Sequence, residues 1–80
     1  MKSELKDFMR AQSLKSRIHN SIRIYEDLMG GPVPESAKKS VIKYMERKID
    51  YHVKEGSLIP GLIAIATIAL LKLKMKGKLN

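Results

Sequence analysis

The sequence predicts an all-α protein: an amphipathic helical hairpin, over about residues 3–29 and 34–55, followed by a fully apolar third helix over about 58–76. Three observations predict it. Apolar residues recur at spacings of three and four through the first 55 positions, the period of a helix with one buried face. The stretch GGPVPES at 30–36 interrupts that pattern once. The stretch SLIPGLIAIATIALL at 57–71 then runs without a charged residue. The only run that alternates like a strand is LKLKMKGKL at the end of the chain, and it has no second strand to pair with.

In the first element, Leu5, Phe8, Ala11, Leu14, Ile18, Ile22, Tyr25 and Met29 share one helical face. Glu4 and Asp7 sit in its opening turns, where a negative charge complements the helix dipole. A second row, Lys2, Lys6, Arg10, Ser13, Arg17 and Asn20, keeps the same spacing and contains no acid. Gly30 suits a left-handed cap at the helix end. Pro32 and Pro34 forbid continuation, and Pro34 fits the opening of the next helix. A connection this short predicts an antiparallel hairpin.

The second element places Val41, Met45, Ile49 and His52/Val53 on one stripe, widened by Tyr44. Lys39, Lys43 and Arg47 follow one another at i+4 on another face. Glu35–Lys39 and Asp50–Lys54 are acid-first i,i+4 pairs, and Gly56 suits a cap. The third element starts at Ser57 or Pro60 and ends near Lys76, with Gly77 as the stop.

Large apolar side chains surround that third element: Leu62, Ile63, Ile65, Ile68, Leu70, Leu71 and Leu73 fall on all sides when placed 100° apart. A helix apolar all round is expected to be buried all round. A lone three-helix monomer would leave part of it in water, so the sequence predicts contact with other copies or with lipid. The uncharged stretch is too short to cross a hydrocarbon core of roughly 30 Å without help from snorkelling lysines. Pro60–Gly61 at its start and the absence of tryptophan also argue against a span.

The chain has 80 residues and no cysteine, so no disulfide reinforces a small core and oligomerisation is the expected substitute. Its 16 Lys+Arg outnumber 8 Asp+Glu, for a net charge of +8. All the acids lie before Gly56, so the four lysines 72, 74, 76 and 78 form an unopposed basic tail, 72–80, on a single domain. Such a balance favours polyanions, nucleic acid first and an anionic membrane second. The N-terminus shows no secretory signal, which favours an intracellular or virion-associated protein over a secreted one and fixes no compartment.

Enzymatic chemistry finds little support. The spacing S-x-x-K occurs at Ser3–Lys6, Ser36–Lys39 and Ser40–Lys43, as expected of a chain rich in both residues. His19 and His52 share no helical face with a second ligand, and there is no phosphate-binding glycine loop. The expectation is a non-enzymatic protein with no cofactor and no metal. Its predicted nucleic-acid contacts are Lys2, Lys6, Arg10, Arg17, Lys72, Lys74, Lys76 and Lys78. Its predicted homo-oligomer or membrane contacts are Leu62, Ile63, Ile65, Ile68, Leu70 and Leu71. This succession of amphipathic segment, apolar segment and basic tail is similar, in general plan alone, to the small helical coat proteins of filamentous viruses. The likeness implies a packaging or coat-like subunit. The alternatives are a membrane-associated protein anchored by residues 57–75 and a soluble regulator that docks its apolar helix into a partner.

Overall fold

The computed structural model describes residues 2–55 and 58–76, without the side chains of Lys2, Ser3 and Lys54. Three helices follow one another: α1 over Lys2–Met29, α2 over Glu35–His52 and α3 over Pro60–Met75. The fold is all-α, a helical hairpin followed by a third helix, as the periodicity predicts. The second helix tightens into a 3₁₀ turn at Val53–Glu55 instead of continuing as α-helix to residue 55. The expected Gly56 cap, Ser57 start and Gly77 stop lie outside the described residues.

Helix lengths set the shape. At about 1.5 Å per residue, α1 is roughly 42 Å long, α2 about 27 Å and α3 about 24 Å. The long axis of the molecule, 43 Å, is therefore α1 itself. Lys15 Nζ meets Asp50 Oδ1 at 2.9 Å, and Arg10 Nη2 donates to the Leu58 carbonyl at 2.9 Å. These contacts set the α2–α3 connection level with residues 10–15 of α1. The earlier turns of α1 overhang the bundle. The expected apolar face is accordingly buried only from Ala11 to Tyr25, while Leu5, Phe8 and Met29 are exposed. Periodicity placed them on the correct face, but the shorter helices leave most of each side chain uncovered. Asp50 bonds across the bundle to Lys15, and the side chain of Lys54, its expected partner along the helix, lies outside the described residues.

The α1–α2 corner is closed by Glu26. Gly30 adopts φ +77°, and the Gly31 N–H reaches the Glu26 carbonyl at 3.1 Å while the Gly30 N–H reaches Asp27 at 3.3 Å. This is the paired bonding of a Schellman motif, which satisfies the last carbonyls of α1. The Glu26 carboxylate then accepts the Val33 N–H at 2.8 Å and lies 3.3 Å from Lys38 Nζ. Val33 is thereby drawn into the core, and Pro34 stands at the N-cap of α2. The Val33 bond first, then Lys38, holds the Glu26 carboxyl below its ordinary value of 4.5 against the opposing effect of partial burial.

The core joins Leu14, Ile18, Ile22 and Tyr25 of α1 to Val41, Met45 and Ile49 of α2 and to Ile63 and Leu71 of α3. Two polar side chains are buried with them. Ser21 and Thr67 each donate a hydroxyl to the carbonyl four residues earlier, at 2.7 Å. No buried side-chain polar atom lacks a partner among the described residues, as a stable interior requires.

Candidate interaction surface

Helix α3 buries Ile63, Thr67 and Leu71, at i, i+4 and i+8. Its single polar residue before the lysines is thus on the inward face. The outward stripe is Leu62, Ile65, Ala69 and Leu73, again at threes and fours, and all four are exposed. Ile65 keeps 67% of its surface in water, Leu62 51% and Leu73 44%. Within one chain, then, α3 is not enclosed on every side, because two neighbouring helices cover only about half its circumference. Of the six expected contact residues, Ile63 and Leu71 belong to the chain's own core and have no outer surface to offer. Ile68 and Leu70 pack against that core, and only Leu62 and Ile65 point outward.

Between α2 and α3 runs an apolar groove of about 420 Å³, floored by Ala66, Ala69 and Leu70 and walled by Tyr44, Lys48 and His52. Beside it on α2 lies a second hollow of about 310 Å³, lined by Tyr44, Arg47, Lys48 and Tyr51, of which Tyr44 and Lys48 also line the groove. Lys48 Nζ lies 5.7 Å from the centre of the Tyr44 ring, and Tyr51 stands edge-on to the His52 ring at 4.8 Å. His52 Nδ1 in turn lies 3.2 Å from Glu55 Oε2. Sequence reading set Tyr44 beside the apolar stripe of α2 and left Tyr51 and Leu73 out of the expected contacts. The missed signal is the i, i+4, i+7 spacing of Tyr44, Lys48 and Tyr51, which sets all three on one face of α2.

The cations gather on the other flank of α3, where it lies against α1. The helices are parallel, since α3 starts beside Arg10 and runs in the same direction. Lys6, Arg10 and Arg17 are exposed along the first half of this flank, and Lys72 and Lys76 at its far end. From Leu58 to Lys76 is about 27 Å of helix rise, alongside roughly eight steps of a nucleic-acid strand. In helical geometry Lys72 and Lys76 fall on one side and Lys74 on the other, so Lys74 turns back toward the bundle and is half-buried. Lys78 and the side chain of Lys2 lie outside the described residues. Arg10 spends part of its guanidinium on Leu58, tying the α2–α3 connection to α1. Two further cations, Lys15 and Lys38, are paired within the chain.

No group of three His, Asp or Glu side chains among the described residues could hold a metal ion. No helix among them is long and apolar enough to cross a membrane. In comparison with known proteins, no family, no curated sequence and no solved structure matches this chain.

Proposed function

We propose that this chain is a non-enzymatic, self-associating helical subunit that binds nucleic-acid backbone along its α1–α3 flank. One observation carries the reading: α3 exposes an unbroken apolar stripe, and the surface beside it is a row of exposed cations containing no acid. Exposed apolar surface of this continuity marks a contact site in a soluble protein. Lysines and arginines in a row neutralise phosphates but do not read base edges. The exposed tyrosines stand on the opposite, α2 side, so base stacking adds little on the cationic flank.

The test is a salt titration of oligonucleotide binding, followed by fluorescence anisotropy. If Lys6, Arg10, Arg17, Lys72 and Lys76 all meet phosphates of a duplex, log K falls with log salt at a slope of about −4.5. Arg17→Ala, Lys72→Ala and Lys76→Ala each reduce that slope by about one, with little dependence on sequence. Arg10 is a poor probe because its removal also frees Leu58. Binding that ignores salt, or survives the triple variant unchanged, refutes the reading.

A second reading takes the stripe to an anionic membrane surface. It is favoured by Tyr44 and Lys48, which line the apolar groove, and by Arg47 and Tyr51 in the hollow beside it, an aromatic and basic border of the kind an interfacial helix carries. Flotation with vesicles containing phosphatidylserine decides between them: flotation that persists at high salt supports the membrane, and its absence leaves the nucleic-acid reading standing.

A further inference from the structure

We infer that the occupant of the α2–α3 groove is the α3 ridge of a second copy, packed antiparallel to the first. The inference rests on the self-association proposed above and gives it a geometry. A two-fold interface requires one patch that is complementary to itself. Here the ridge and the groove lie side by side on one face. Ile65 and Leu73 form the ridge, Leu62 stands where ridge and groove meet, and Ala66 and Ala69 line the groove with side chains small enough to admit the ridge. Rotation about an axis through the middle of α3 sets each ridge in the other copy's groove.

Charge selects the direction. Lys72, Lys74, Lys76 and Lys78 crowd the C-terminal end of the chain, and no acid follows Glu55. A parallel pair would set these lysines against their own counterparts. An antiparallel pair separates the two clusters by about the length of α3, roughly 24 Å, which exceeds two Debye lengths of ~8 Å at physiological salt. It also brings each cluster toward the end of the partner that carries the exposed Glu55 carboxylate. Lys6, Arg10 and Arg17 on α1 stay clear of the interface, while Lys72 and Lys76 border the ridge at its C-terminal end.

Area sets the strength. A strip two helices wide, at about 10 Å each, and 24 Å long covers roughly 480 Å² per copy. The total of about 960 Å² stands at the lower bound for a specific interface. The pair is therefore a reversible dimer that dissociates on dilution.

The absence of native cysteine makes the geometry testable by single substitutions. With the axis midway between Leu62 and Leu73, those two residues face one another across the pair. Under oxidation, an equal mixture of Leu62→Cys and Leu73→Cys chains forms the mixed disulfide, and neither chain alone forms a homodimer disulfide. Homodimer disulfides of Leu62→Cys show a parallel pair and overturn the antiparallel assignment. If either variant weakens association, a nitroxide on Lys76→Cys gives the same answer in a fully native interface. The antiparallel pair sets the labels about 25 Å apart or more, and the parallel pair about 10 Å. Sedimentation of the unmodified chain separates the two levels of failure. A monomer at every concentration defeats self-association itself, whereas a dimer with the wrong crosslinks or distances defeats only the antiparallel arrangement.

Discussion

Leu71 and Ile65 lie six residues apart on the same helix, with side chains of equal volume, and truncating each to alanine should have sharply different effects. Leu71 is fully buried and Ile65 is 67% exposed. Each substitution removes three carbons, worth about 0.8 kcal/mol apiece when buried. For Leu71 the transfer loss is therefore about 2.4 kcal/mol, and the cavity left behind raises the cost into the 2.5–5 kcal/mol range. For Ile65 only a third of that transfer loss applies, about 0.8 kcal/mol, and alanine returns about 0.4 kcal/mol through its better helix propensity. The expected net cost is about 0.4 kcal/mol. A domain of this length has roughly 4–12 kcal/mol in total, so Leu71→Ala removes a large share of it and Ile65→Ala almost none. Urea unfolding followed by circular dichroism measures both. The protein must be dilute enough to sediment as a monomer, so that loss of an intermolecular contact at Ile65 does not enter. Equal losses at the two positions, or a larger loss at Ile65, would show that α3 is rotated about its axis from the orientation described.

The same assay reaches other features of the fold. Thr67→Val removes a buried hydroxyl but leaves the Ile63 carbonyl bonded to its helical N–H, so stability should stay within about 1 kcal/mol and rise if anything; a loss above that would give the hydroxyl a role beyond its local bond. Gly30→Ala forces alanine to φ +77° and should cost about 1 kcal/mol, although nothing obstructs the added methyl. Gly61→Ala, in the first turn of α3 with open space around it, should instead stabilise by about 0.5–1 kcal/mol. Glu26 titrates below its ordinary 4.5 when folded, so its contribution is present above that pH and is lost as acid carries the solution down through the folded value. Glu26→Gln keeps an acceptor for Val33 but not the charge, and should lower stability at neutral pH while flattening the fall below pH 4.5; an unchanged acid limb would remove Glu26 from the account.

The helices and their order were legible because each signal is local. Threes-and-fours spacing depends only on the helical repeat, and Gly30 with Pro32 and Pro34 ends one helix and starts the next without help from the rest of the chain. What the local signal could not supply was relative length and position. Leu5 and Phe8 fit the apolar stripe of α1 as well as Leu14 does, and only the level of the α2–α3 connection, tied by Arg10 to Leu58, shows that they are left mostly exposed. In α3 the opposite difficulty held. With apolar residues on all sides, no periodicity distinguished Ile63 from Ile65. The inward face is marked instead by Thr67, whose hydroxyl satisfies itself on its own helix and whose compact, branched body fits between α1 and α2. Alternation also misled at the tail, where LKLKMK read at period two suggests one basic edge. Wound into a helix, it turns Lys74 away from Lys72 and Lys76.

The two proposed activities draw on different groups, the apolar ridge and groove for one and the cations for the other, and this difference gives them opposite responses to salt. Each copy carries a net charge of +8, so bringing two together costs repulsion that mobile ions screen. The groove contact is apolar and loses nothing to screening. Dimerisation should therefore strengthen from low to moderate salt. Backbone binding should weaken over the same range, because released counterions carry its free energy. A nucleic-acid strand performs the same screening as salt, but locally and at the flank where the cations lie. Oligonucleotide should thus lower the dimer's dissociation constant, and by linkage the dimer should bind oligonucleotide more tightly than the monomer. Sedimentation across a salt series, with and without a short duplex, tests both signs in one experiment. If salt shifts dimerisation and duplex binding in the same direction, the same groups serve both, and the division between apolar ridge and cations no longer explains the protein's assembly.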